Sequence, residues 1–182
     1  MDPTLVGYFP KHLYPPPPFL SDAGVKEIGS VSRCIAAGPV GWLEEWKHNE
    51  WGCFNDPDTA WSLVPPEHHA GYRLYGYEVY PVEYHEREAH SLEIPPLDVT
   101  PLGEAFSPVG WDAVSRSGGQ DFECSPLSCN SMVERFPVNE YCLVNLFDAH
   151  TLAATAERDG CEPGPYFVVN VWRRDAEQSI AS

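Results

Sequence analysis

Two stretches of this chain are versions of one another. Residues 42–58 read WLEEWKHNEWGCFNDPD and residues 132–148 read MVERFPVNEYCLVNLFD. Aligned without a gap, Glu44, Asn49, Glu50, Asn55 and Asp58 fall on Glu134, Asn139, Glu140, Asn145 and Asp148. Trp46 meets Phe136 and Trp51 meets Tyr141. Upstream, Val31-Ser32-Arg33 echoes Val114-Ser115-Arg116; downstream, Tyr77-Glu78-Val79-Tyr80 echoes Val169-Asn170-Val171-Trp172 after a slip of two. A half of about 60 residues does not bury its own sheet face well. The halves are therefore expected to pack together about a pseudo-twofold axis.

The first unit spans about 25–84. Trp42, Leu43 and Trp46 give Gly41–His48 one apolar helical face, and Trp51–Phe54 reads as a short strand. Asn55-Asp56-Pro57-Asp58 is a helix start, a capping side chain followed by proline in the first turn, and the helix ends by Pro65-Pro66. Tyr72–Tyr84, dense in Tyr and Val, is a long strand. The second unit, about 110–174, repeats the order: a helical piece at Ser131–Phe136, a strand at Tyr141–Leu146, then a helix striped by Ala149, Leu152, Ala153 and Ala156. Gly160 and Pro163 end that helix, and Tyr166–Trp172, apolar on both faces, is a central strand. Residues 85–109 carry four prolines and scattered charge and read as an irregular linker. Residues 1–20, with Pro15–Pro18 removing four amide donors, read as an extended arm pinned by Phe9, Tyr14 and Phe19. The expected fold is α+β: one domain over 21–182, in which two pseudo-symmetric helix-strand-helix-strand units share a mainly antiparallel or mixed sheet.

A net charge of −16 is spread along the chain, so the folded surface must be negative. Such a field repels nucleic-acid phosphate and anionic membrane and attracts basic partners. No window approaches the roughly 18 apolar residues of a membrane span. Residues 1–4 lack the basic start of a secretory signal, so the expectation is an intracellular, cytoplasmic protein. Six cysteines then read as reduced, buried thiols. Cys124 and Cys129 lack the two-residue spacing of zinc knuckles, although with Cys142 and a histidine they form an alternative metal set.

The binding candidates are Arg33, Arg116, Glu50, Glu140, Glu78 and Asn170. Asn55 with Asp58, and Asn145 with Asp148, are explained as helix caps with an acid in the first turn. Glu50 and Glu140 are either exposed turn acids or a carboxylate pair at the axis. Arg33 and Arg116 either clip the layers together or, for Arg116 beside Ser117-Gly118-Gly119, hold an anion. Glu78 and Asn170 interrupt aromatic and β-branched strands, so each is a satisfied core polar group or lines a cleft. No phosphate-loop, nucleophile-elbow or zinc-protease pattern occurs.

The later segments resemble small ADP-ribosyltransferase-like folds in the order of their elements alone. That resemblance implies a nucleotide-handling enzyme, with Arg116, Ser117 and Glu123 as the only Arg, Ser and Glu set, at a spacing that is not diagnostic. Charge, aromatic content and the lack of a catalytic pattern point instead to a non-enzymatic, cofactor-free protein of immunity or inhibitor type that captures a basic protein. A small enzyme acting on a nucleotide or other anion between the units is the alternative, and a zinc-stabilised structural domain the second.

Overall fold

The computed structural model describes residues 2–32, 47–117 and 122–175. It combines helices with a single, mainly antiparallel five-stranded sheet. The strands are β1 (Thr4–His12), β2 (Tyr72–His85), β3 (Glu88–Ser91), β4 (Phe106–Ser115) and β5 (Tyr166–Arg174). Their order is β1-β2-β5-β4, and β3 pairs with β2 along the stretch that β1 does not reach. Both central strands are the long aromatic and β-branched runs that the sequence marks, and all the pairings are antiparallel.

The two edge strands differ from expectation. Thr4–His12 lies inside the region read as an irregular arm, and Phe106–Ser115 begins inside the linker. Each carries proline and a glycine at which the register slips, Gly7 in β1 and Gly110 in β4. Proline is tolerated there because an edge strand has one side with no ladder to feed. The slips are bulges, and the backbone takes φ +137° at Gly7 and +143° at Gly110. A Cβ at Gly7 would stand 2.6 Å from the Phe54 carbonyl oxygen, and one at Gly110 would stand 2.8 Å from the Leu143 Cβ. Only glycine lets the next segment lie this close.

Four short or long helices complete the frame among the described residues: α1 (Pro18–Ser21), α2 (Pro57–Ser62), α3 (Pro126–Cys129) and α4 (Leu146–Asp159). Single 3₁₀ turns occupy Pro66–Gly71 and Met132–Glu134. Asn145 caps α4 as expected, accepting from the Asp148 amide at 2.9 Å, and Gly160 ends it in the left-handed region. In α2 the cap is Asp56 and not Asn55: its carboxylate accepts from the Thr59 amide at 2.8 Å, which leaves Pro57 at the first helical position, where no donor is needed. The helix expected at Gly41–His48 lies almost wholly outside the described residues. The short strands expected at Trp51–Phe54 and Tyr141–Leu146 are turns, each ending in one bridge to an edge strand, Tyr8↔Phe54 and Trp111↔Val144. Val31-Ser32 lies outside regular structure whereas Val114-Ser115 belongs to β4, so that echo is not a shared element.

Alternate residues of β5 serve two cores. Val169 and Val171 join Tyr75, Tyr77, Trp51, Phe122 and Leu143 on one face, while Tyr166 and Val168 join Ala113 and the Leu152 stripe of α4 on the other. Full burial of an aliphatic side chain such as Leu152 contributes about 2 kcal/mol. Leu92, Ile94, Leu97, Val99 and Leu102 pack on the first core, so the 85–109 connection is fastened by apolar contacts.

Candidate functional site

The Asn-Glu-aromatic segments of the two similar stretches build the same turn. The Asn49 side-chain oxygen accepts from the amides of Trp51 (2.9 Å) and Cys53 (3.3 Å), and its Nδ2 donates to the Val6 carbonyl of β1 at 2.8 Å. The Asn139 oxygen accepts from Tyr141 (2.9 Å) and Leu143 (3.1 Å), and its Nδ2 donates to the Val109 carbonyl of β4 at 2.7 Å. The fourth residue is left-handed in both turns, φ 68° at Gly52 and 58° at Cys142. One asparagine thus closes its own turn and ties it to a sheet edge. The following aromatic residue is thereby aimed inward.

For Trp51 the result is a wall. It is 4% exposed, with ring centroids 5.7 Å from Phe122 and 5.6 Å from Phe167. The Arg116 guanidinium lies over its face at 4.3 Å and donates through Nη2 to the Glu50 carbonyl. Arg116 is placed by the end of β4, where its own amide donates to Pro165 at 3.0 Å. A groove of about 340 Å³ opens here, bounded by Glu50, Glu83 and Glu93 around Trp51, Arg116 and Phe167. Glu50 and Arg116, read from the sequence as one pairing of the clip that joins the layers, therefore meet, through the Glu50 backbone carbonyl. Arg33 lies outside the described residues.

Glu140 is engaged elsewhere, with Lys26 at 2.8 Å on the surface, so it and Glu50 have different partners. The interaction with Glu140 holds the Lys26 ammonium above its usual range. Glu78 and Asn170 do meet: they are register partners across β2 and β5. Asn170 Nδ2 and Trp172 Nε1 both donate to Glu78 Oε2, at 2.8 and 2.7 Å. The carboxylate is satisfied by its neighbours in the sheet, which is what a polar group at a central strand position requires.

Cys124 and Cys129 are half-buried and Cys142 is buried. Burial pushes the Cys142 thiol up to about 12, which leaves it protonated at neutral pH. Among the described residues no group of three or more His, Cys, Asp or Glu side chains is placed to hold a metal ion. No described helix is long and apolar enough to cross a membrane.

A buried polar cluster escapes the sequence reading. Lys11, on β1, is 2% exposed and its Nζ donates to the Ser30 and Ser32 carbonyls, the latter at 3.1 Å. Asp112, on β4, is fully buried and accepts from the Ala113 amide (2.8 Å) and the Ser125 hydroxyl (2.9 Å). Burial raises its carboxyl to about 6, against the opposing pull of Ser30, Ser125, the Ala113 amide and Lys11. A lysine between Pro10 and His12 gives no sign of such burial, so no signal could have found it.

No known protein family, curated protein or solved structure matches the chain.

Proposed function

We propose that this chain is an acidic, aromatic-rich intracellular binding protein that captures or inhibits a basic partner protein, with the Trp51–Arg116 groove as the seat of a cationic side chain. The observation that carries the reading is the composition of that groove: among the described residues that line it, three carboxylates, Glu50, Glu83 and Glu93, stand against the guanidinium of Arg116. Arg116 lies on Trp51 and donates to the Glu50 carbonyl, and Glu50, Glu83 and Glu93 line the same groove, where their negative charge favours an incoming cation. The aromatic wall adds a surface on which a partner's guanidinium stacks. The −16 charge of the whole chain steers such a partner in from a distance. A cytoplasmic location belongs to the same reading.

At finer grain we read the fold as two units about a pseudo-twofold axis between β2 and β5. Three features support it: the symmetric order β1-β2-β5-β4, the matching Asn49 and Asn139 turns, and the matching bulges at Gly7 and Gly110. On this reading Val6-Gly7-Tyr8 is the partner of Val109-Gly110-Trp111, and the first unit begins at β1.

A labelled arginine-rich peptide titrated into the protein tests the function. Binding is expected to weaken by about tenfold or more between roughly 50 and 300 mM salt, as screening shortens the reach of the field. The Glu83→Gln/Glu93→Gln variant is expected to lose a further factor of about ten. Binding that ignores both salt and the double substitution would overturn the proposal.

A further inference from the structure

A second cavity, of about 320 Å³, lies where α2 and the Pro66–Gly71 turn meet the start of β2 and the end of β5. Its chemistry is opposite to that of the groove. Trp61, His69 and Leu74 supply a flat apolar wall, and Arg73 and Arg174 supply two guanidinia. The chain has only 11 Lys and Arg against 27 acids, so two arginines lining one cavity are a local concentration of its scarce positive charge.

The arginines are incompletely satisfied. Arg73 Nη1 donates to the Tyr72 carbonyl at 2.7 Å and to the Ala70 carbonyl at 3.4 Å, whereas its Nε is buried without a hydrogen-bond partner. A guanidinium carries five donors in a fixed fork, and the two carbonyls engage Nη1 alone. Among the described residues Arg174 has one long ionic contact, 3.7 Å, to Asp58, whose side chain is 85% exposed. Asp175, the one acid among the described lining residues, already accepts from the Ser107 hydroxyl at 3.1 Å. The wall is pre-shaped: the His69 ring lies on Trp61 with centroids 4.6 Å apart, fixed by its Nε2 donating to the Val64 carbonyl at 2.9 Å.

We infer that this cavity binds a small aromatic oxyanion, its carboxylate or phosphate head held by Arg73 and Arg174 and its flat body lying on Trp61 and Leu74. Two oxygens on one carboxylate or phosphate match the guanidinium fork, which is why arginine and not lysine serves here. The volume sits at the small end of ligand sites, so the ligand is a single-ring molecule and not a dinucleotide.

Benzoate, phenyl phosphate and uncharged benzamide are titrated separately into the full chain, followed by calorimetry and by tryptophan fluorescence. At least one of the two anions is expected to bind about tenfold or more tightly than benzamide, and the stronger of the two identifies the head group. Arg73→Gln and Arg174→Gln are each expected to weaken that anion by about tenfold, while Arg135→Gln, which removes a surface charge on another face, leaves it unchanged. Trp61→Phe is expected to abolish the fluorescence change while the calorimetric binding persists. Circular dichroism shows whether each variant is folded. Benzamide binding as tightly as both anions, no heat from either anion, or full affinity in a folded Arg73→Gln/Arg174→Gln variant would overturn the assignment.

Discussion

At the scale of single residues, the buried carboxyl of Asp112 has the most measurable effect. Its folded value of about 6 exceeds the unfolded value of 3.8, so the folded state holds its proton more tightly. Stability from this group is therefore complete below about pH 4 and is lost as pH rises through about 6. The loss is at most roughly 3 kcal/mol, two pKa units at 1.36 kcal/mol each. Urea unfolding across pH 4 to 8 is expected to show this decline in the wild type and a flatter profile in Asp112→Asn. Asparagine keeps an oxygen for Ser125 and Ala113 and has no proton to lose. Ser30, Ser125 and the Ala113 amide, with Lys11 adding least, keep the effect from being larger, since each favours the charged form. Residue identity tells little of this in advance, because nothing local distinguishes an aspartate in the middle of Trp111-Asp112-Ala113 from an exposed one.

At the scale of elements, the bulge glycines and the asparagine turns form one device. Gly7 and Gly110 remove the side chain that would hold the Asn49 and Asn139 turns off the sheet edge. Gly7→Ala and Gly110→Ala are each expected to cost about 2–3 kcal/mol, from unfavourable backbone conformation and from the contact. Similar values for the two would agree with a pseudo-twofold relation. Gly160→Ala, where a Cβ meets open space, is expected to cost about 1 kcal/mol. Shifts in the urea midpoint at constant slope measure all three. Legibility in the sequence follows the same line. β2, β5 and α4 were readable because a central strand needs unbroken β-branched and aromatic residues and a packed helix needs its stripe. β1 and β4 were hidden by the prolines and glycines that only an edge can carry. For the groove, Glu50 and Arg116 stood out as repeated residues, but Glu83 and Glu93 come from β2 and the linker, and only the folded chain brings them alongside. Both cavity arginines were invisible for the same reason: Arg73 and Arg174 lie at the far ends of strands distant in sequence.

At the scale of the whole molecule, charge acts in two opposite directions. Twenty-seven acids against 11 bases repel one another across a compact body, and added salt screens that repulsion. The midpoint of thermal unfolding is therefore expected to rise between about 10 mM and 0.5 M sodium chloride, over the range in which peptide binding in the groove weakens. A melting temperature that fell over this range would show that specific ion pairs outweigh the mean field. The Arg173–Glu27 pair is the most sheltered among the described residues, its Nε 3.2 Å from Glu27 Oε1, and Tyr75 donates to the same carboxylate. It fastens the 25–32 segment to the sheet where salt reaches least.

The seam between β2 and β5 joins opposite halves of the chain, since Tyr77 lies against Val171. A nascent polypeptide can zip β1 onto β2 early, yet the other flank of β2 stays open until β5 has been made. In that interval a sticky aromatic ribbon is open to neighbours. Closing the middle of the sheet is consequently the slow, late event of assembly, and any cut ahead of Tyr166 leaves a fragment prone to clump.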